Sequence, residues 1–342
     1  MAANIDVGSD ARISRRALFG GALATAAAAA VRPMLAQQMQ THMPSGAAPK
    51  PKGPLVFLDY DKDEIDAAYT QALWAPNQVE VDKRNAQKSA AAVARLGPPQ
   101  RLAYGPTEVE RVDVYATKRP NAPINVFIHG GAWRAGNSAG SAYLSEVFVD
   151  SGAHFVAVDF NSVIETNGDL LILANQVRRA VAWVHTNASR FGGDPHRLYV
   201  SGVSSGGHLA SVVLTTDWRK DFGLPVDTVK GGLCGSGMYD LYPVTLSARA
   251  NYVKFTKDVV EALSAQRHLD RLVALVIVAH GTLETPEFQR QNREFAAAVT
   301  AAGKSATLVV GEGYNHFELH ETPGNPYGLL GRAVLQQMKL KS

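Results

Sequence analysis

Along most of the chain, short runs of β-branched and aliphatic residues alternate with longer stretches whose apolar side chains recur every three or four positions. The first spacing suits a strand buried in a sheet and the second an amphipathic helix, so the pattern predicts the two interleaved. Strands are predicted at 112–116, 124–128, 154–159, 198–202, 229–234, 272–279 and 307–310. The last five or so read as buried parallel strands, with no polar face left for solvent. Helices are predicted at 142–150, 171–190, 205–215, 286–302 and 327–338, and Gly152, Gly192 and Gly303 follow three of them, where a left-handed cap favours glycine. Such alternation builds an α/β fold, a mostly parallel central sheet with helices on both faces. Two further helical patterns, 63–74 and 81–96, precede the first strand and predict an N-terminal helical cap. No internal repeat is present.

The first residues follow a different rule. Ser14-Arg15-Arg16-Ala17-Leu18-Phe19 leads into an alanine-rich apolar run over 17–31. A charged segment before such a run is the layout of an export signal, here of the twin-arginine kind, and the run is too short to span a bilayer comfortably. Small residues allow cleavage after Ala30 or after Ala36, and no cysteine beside the run offers a lipid anchor. The expected organisation is an export signal over 1–36, a Pro-, Gly- and Ala-rich tether over 37–54, and one α/β domain over 55–342. A periplasmic or secreted protein with no membrane attachment in its mature form follows.

Composition narrows the partners. The 342 residues, 46% of them hydrophobic and 19% charged, suffice for a sizeable core. The 34 basic and 31 acidic residues give a formal charge of +3 and are interspersed, so no basic stripe is offered to nucleic acid. Removing 1–36 takes away four basic and two acidic groups and leaves the charge near +1. One cysteine, Cys234, cannot form an intramolecular disulfide, and no Cys/His cluster has zinc-site spacing, so neither a disulfide staple nor a structural metal is implied.

The strongest chemical signal is Gly202-Val203-Ser204-Ser205-Gly206, between the strand Leu198-Tyr199-Val200 and the apolar segment 208–214. A serine on so sharp a strand-to-helix turn is lifted above the sheet, and glycine two positions to either side avoids collision with neighbouring backbone. A phosphate cradle would need G-x-G-x-x-G spacing or a P-loop lysine, and neither is there. Ser204 is the expected nucleophile. Upstream, a strand runs into His129-Gly130-Gly131-Ala132-Trp133. Main-chain amides of Gly130, Gly131 and Ser205 form the expected oxyanion hole.

Serine needs a base, and Gly311-Glu312-Gly313-Tyr314-Asn315-His316-Phe317 sets His316 in the segment after the last strand, with His320 as a stand-in. That segment is expected to be a loop directly after the last strand, and His129, His208 and His280 suit the role less well. The imidazole needs a carboxylate, expected after the preceding strand in the chain order Ser, acid, His. Glu284, in His280-Gly281-Thr282-Leu283-Glu284, is preferred over Glu287 and Asp240. Trp133, Phe160, Tyr314 and Phe317 lie in or beside these segments and are candidate substrate-lining residues.

On these motifs the chain resembles the α/β-hydrolase superfamily, in the branch of kynurenine formamidase (arylformamidase) and similar esterases with a His-Gly-Gly-x-Trp motif. Asp194-Pro195-His196-Arg197-Leu198, the segment 235–243 and Thr285-Pro286-Glu287-Phe288-Gln289-Arg290-Gln291 extend the likeness over roughly 59–338. The resemblance implies an α/β-hydrolase fold, a Ser204, His316, Glu284 triad, an oxyanion hole at Gly130/Gly131, no cofactor, and a small-molecule ester or amide as substrate. Two positions depart from it: glutamate stands where close formamidases often have aspartate, and Asp159-Phe160-Asn161-Ser162 replaces the commoner Tyr-Arg-Leu. An exported esterase is expected first, an amidase, arylformamidase or carbamate hydrolase second. A non-catalytic binding protein on the same scaffold is disfavoured because every triad candidate is present.

Overall fold

In-register β-branched ladders set the sheet. Val114, Val156, Val126 and Val200 lie side by side on four neighbouring strands, and on the opposite parity Tyr115, Phe155 and Phe127 fill the other face. The computed structural model describes residues 51–341, so the expected export signal and most of the tether lie outside the described residues. The strands are β1 (Gln100–Ala103), β2 (Arg111–Tyr115), β3 (Ala122–Ile128), β4 (His154–Val158), β5 (Gly193–Val203), β6 (Gly231–Gly235), β7 (Leu275–Gly281) and β8 (Ala306–Gly311). Their order is β1-β2-β4-β3-β5-β6-β7-β8, antiparallel at β1/β2 and β2/β4 and parallel elsewhere. The main helices are α1 (Lys62–Ala68), α2 (Gln78–Leu96), α3 (Leu170–Asn187), α4 (Ser205–Leu214), α5 (Pro286–Ala301), α6 (His316–Glu321) and α7 (Leu329–Gln337).

Both faces of the sheet are covered, as the alternation predicts. On one, Phe127, Phe155, Tyr199, Leu233 and Ile277 pack with Phe148 of the helix Ser145–Asp150 and with Leu330, Val334 and Leu335 of α7. On the other, Leu214 of α4 lies so close to Val200 and Gly232 that a Cβ at position 232 would stand 2.8 Å from its methyl carbon. Burying these side chains at about 25 cal/mol per Å2 of apolar surface is the main force holding the layers together.

The departures from expectation are physical. β8 pairs as a parallel strand but is not buried: it is the sheet's edge, and Leu308 and Val310 are 38% and 45% exposed. β1, the opposite edge, is four residues long and mostly exposed, so it carries no apolar signature. The helix expected at 142–150 begins as a 3-10 turn, Ala139–Leu144, and the one expected at 63–74 divides into α1 and a 3-10 turn, Gln71–Trp74. The short helices Trp218–Phe222, Tyr242–Thr245 and Lys257–Leu263 are too brief to show a period. Of the N-terminal cap elements, α1 touches α5, while α2 packs on the 139–144 turn and on α6.

Candidate active site

Ser204 stands between the end of β5 and the start of α4, with φ 57° and ψ −128°. A non-glycine residue there is strained. Two backbone bonds hold it, Ser204 N–H to Gly235 O at 2.8 Å and His208 N–H to Ser204 O at 3.1 Å. The flanking glycines are required sterically: a Cβ on Gly202 would lie 2.2 Å from Gly206 O, and one on Gly206 would lie 2.1 Å from Ile128 O. The turn therefore presents the Ser204 hydroxyl beyond the C-terminal end of β5, an interior strand of the sheet.

His316 meets it there. His316 Nε2 and Ser204 Oγ are 2.9 Å apart, and His316 Nδ1 is 2.9 Å from Glu284 Oε2. With Nδ1–H donating to the carboxylate, Nε2 is the acceptor for the serine proton. Glu284 Oε1 accepts from the Ser236 hydroxyl at 2.6 Å and from the Gly281 amide at 2.7 Å, so both carboxylate oxygens are occupied and aimed. Burial pushes Glu284 above the usual carboxylate range, opposed by these bonds and by His320. Burial pushes His316 down to about 3, and the positive charge of Arg249 acts in the same direction.

His316 is the first residue of α6 and not part of a loop, contrary to expectation. Asn315 caps that helix, accepting from the Phe317 and Glu318 amides at 3.1 Å each, while Glu318 accepts back from the Asn315 amide at 3.2 Å. This capping box fixes where α6 begins and with it the imidazole.

The rival candidates are engaged elsewhere. Asp240 pairs with Arg267 at 3.4 Å, and Glu287 accepts from Tyr69 Oη at 2.9 Å and from Arg290. His208 takes Trp133 Nε1–H on Nδ1 at 3.2 Å and gives its Nε2–H to Leu263 O at 2.9 Å; burial pushes it down to about 4. His129 bonds Gly130 O, His280 bonds Gly281 O, and His320 lies 4.2 Å from the His316 ring without reaching Ser204.

The glycine turn crosses beside the elbow. A Cβ on Gly130 would lie 3.1 Å from Ser204 Cβ, and Gly131 has φ +108° with Ala135 O at 2.1 Å from where its Cβ would be. Ala132 and Trp133 also have positive φ. The Trp133 amide donates to Ser205 Oγ at 3.1 Å, which ties the turn to the elbow. Among the described residues the Gly130 and Gly131 amides have no acceptor. Ser205 opens α4, where an N–H has no partner within the helix. Of the four aromatic candidates, Phe317 packs edge-on against His316 at 5.3 Å, and Tyr314 packs against the core. Phe160 stacks on His129 at 4.3 Å, and with Trp133 it lines a cleft of about 790 Å3 beside the turn.

Three groups escape a linear reading. Ser236 stands just past β6, and only its place in Gly235-Ser236-Gly237 hints at a role. Asn77 reaches α6 from 238 positions away, and Arg249 reaches Trp133 and Tyr69 from the 3-10 turn Ala248–Asn251. No cluster of three or more His, Cys, Asp or Glu with metal-site geometry occurs among the described residues.

With this geometry in view, residues 112–233 match the BD-FAE family model, a span that includes Ser204 and ends before Glu284 and His316. The kynurenine formamidase of Danio rerio is 30% identical over 290 residues, covering 81% of this chain and 96% of that protein. A Silicibacter protein described as a thioesterase superposes with a TM-score of 0.69 at 22% identity, covering 78% of this chain and 97% of its own. A thermophilic esterase of Thermogutta terrifontis does so with a TM-score of 0.60 at 22% identity, covering 71% and 95%.

Proposed function

Because the chain belongs to the α/β-hydrolase family of kynurenine formamidase and related esterases, we propose that it is a serine hydrolase that cleaves a carboxylic ester through an acyl-enzyme. The observation that carries this reading is the unbroken line Ser204 Oγ, His316 Nε2, His316 Nδ1, Glu284 Oε2, with two contacts of 2.9 Å. In the proposed reaction His316 Nε2 takes the Ser204 proton as Oγ bonds to the substrate carbonyl carbon, and the carbonyl oxygen becomes an anion facing the Gly130, Gly131 and Ser205 amides. Collapse expels the alcohol, which leaves with the proton from His316. Water then repeats the sequence, giving the carboxylic acid and free Ser204. Glu284 holds the imidazole tautomer and balances the imidazolium.

A formamide bond is the second substrate reading, favoured by the Danio rerio relative, which aligns over almost its whole length. The same groups would serve it. Export through the segment 14–31 is part of the proposal and is supported by the paired arginines ahead of the apolar run.

The test is hydrolysis of a panel of aryl and alkyl esters, N-formyl aromatics and carbamates by wild type and Ser204→Ala. Loss of a serine nucleophile typically costs about 10^6 in kcat, so turnover should vanish into the background. Persistent turnover in Ser204→Ala would refute the nucleophile assignment, and the ranking of the panel separates ester from formamide.

A further inference from the structure

Arg249 is 6% exposed, and its guanidinium lies 5.2 Å from the centre of the Trp133 ring and 6.0 Å from that of Tyr69. Nη2 donates to Tyr69 O at 3.2 Å. Nε and Nη1 are buried and donate to nothing. No carboxylate pairs with it among the described residues, whereas Arg290 has Glu287 and Glu294, Arg101 has Asp113 and Asp159, and Arg179 has Glu110. A guanidinium keeps its charge in a protein, so it cannot escape the cost of burial by losing a proton. Two idle nitrogens, carrying three N–H groups between them, and no counter-ion make this the least compensated charge near the site.

Its position says what the missing partner is. The Trp133 amide bonds Ser205 Oγ, next to Ser204, and the Tyr69 ring packs edge-on against Phe288, which packs edge-on against His316. Arg249 is thus two rings removed from His316 through Tyr69 and Phe288, and on the turn side it lies over the ring of Trp133, whose backbone amide is bonded to the residue after Ser204. Arg134, next to Trp133 in the same turn, is an exposed second cation that sits 5.0 Å from the Tyr252 ring and has no carboxylate either. We infer that Arg249 receives a carboxylate carried by the substrate, with Arg134 drawing the anion toward the site, so that the substrates are esters or amides bearing an acidic group near the scissile carbonyl. This rests on the serine-hydrolase reading above. An anion at Arg249 would supply the absent counter-ion and take up N–H groups of the two idle nitrogens in charge-assisted bonds.

Matched ester pairs test it. 4-Nitrophenyl hemisuccinate against 4-nitrophenyl butyrate carries the charge on the acyl part; 4-acetoxybenzoate against 4-acetoxybenzamide carries it on the leaving group. Wild type should favour the charged member of at least one pair by about tenfold or more in kcat/KM. Arg249→Met should erase that preference through KM, and Arg249→Lys should retain part of it. Arg249→Met should melt no lower than wild type, since an unpaired buried charge is exchanged for an apolar chain. If no ester in either pair is hydrolysed, the serine-hydrolase reading fails. If the neutral esters are hydrolysed but wild type shows no preference in either pair, or Arg249→Met keeps it, the carboxylate site is overturned. A lower melting temperature with equal losses on charged and neutral esters would make Arg249 structural and would also overturn it.

Discussion

His316 is an imidazole crowded by charge and apolar surface at once. Burial and the Arg249 guanidinium both disfavour its protonated form, while Glu284 faces Nδ1 and His320 lies against the ring. In the proposed mechanism the base must be neutral to accept the Ser204 proton, so a depressed pKa would extend activity toward acid. The acid limb of kcat/KM on a neutral ester should fall below pH 6.5, and Arg249→Met should move it upward because one opposing charge is gone. An acid limb at or above 6.5 in wild type would contradict this. The same shift affects stability: between about pH 3 and 6.5 the unfolded chain binds a proton at this position that the fold does not, so stability falls as pH drops through that window. Glu284→Gln should cost about 10^4-fold in kcat, as removal of the orienting carboxylate does elsewhere. Asp240→Asn should cost far less, since Asp240 pairs with Arg267. The reverse ranking in steady-state kinetics would move the acid role to Asp240. Ser204, Glu284 and His316 were legible because each follows a strand end in a glycine-containing segment. Arg249 was not, because nothing in Ser247-Ala248-Arg249-Ala250 marks a side chain folded back across Trp133.

At the scale of elements, α2 steadies the helix that carries His316. Asn77 occupies the N-cap position of α2 but makes no cap with its side chain. It instead donates to Glu318 Oε1 at 2.6 Å and accepts from Asn315 Nδ2 at 2.7 Å. These are the two residues of the α6 capping box, so Asn77 acts on the imidazole through the helix start. Further along, Arg84 and Lys88 both pair with Glu321 at 2.7 Å. Those cations are about half exposed, and exposed pairs contribute only about 0–1 kcal/mol. Arg84→Ala should therefore leave ester turnover as it is and shift the urea midpoint slightly. Asn77→Ala should lower kcat/KM about tenfold, within the roughly 100-fold that a 1 Å misplacement can cost, with kcat affected more than KM. Equal effects of the two substitutions on kcat would show that α2 contributes only general stability. The central strands and longer helices were readable because their apolar spacing repeats; β1, β8 and the caps of α6 depend on partners distant in sequence.

Across the whole molecule, the fold closes without a covalent staple. A single cysteine cannot form an internal disulfide, and Cys234 lies in β6, an interior strand of the sheet, fully buried. Burial also pushes its thiol well above the ordinary range, so almost no thiolate exists at neutral pH. With no disulfide to form, non-covalent forces, chiefly apolar burial on both faces of an eight-stranded sheet, supply the stability, and the domain can therefore reach its folded state in a reducing compartment before the proposed export. The expected outcome is that native protein incubated with iodoacetamide keeps its mass and its ester turnover, with or without dithiothreitol, while protein in urea gains one alkyl group per chain by mass spectrometry. Rapid alkylation of the native protein would mean that β6 opens readily, and activity that depended on the redox state would mean that the sheet is not self-sufficient.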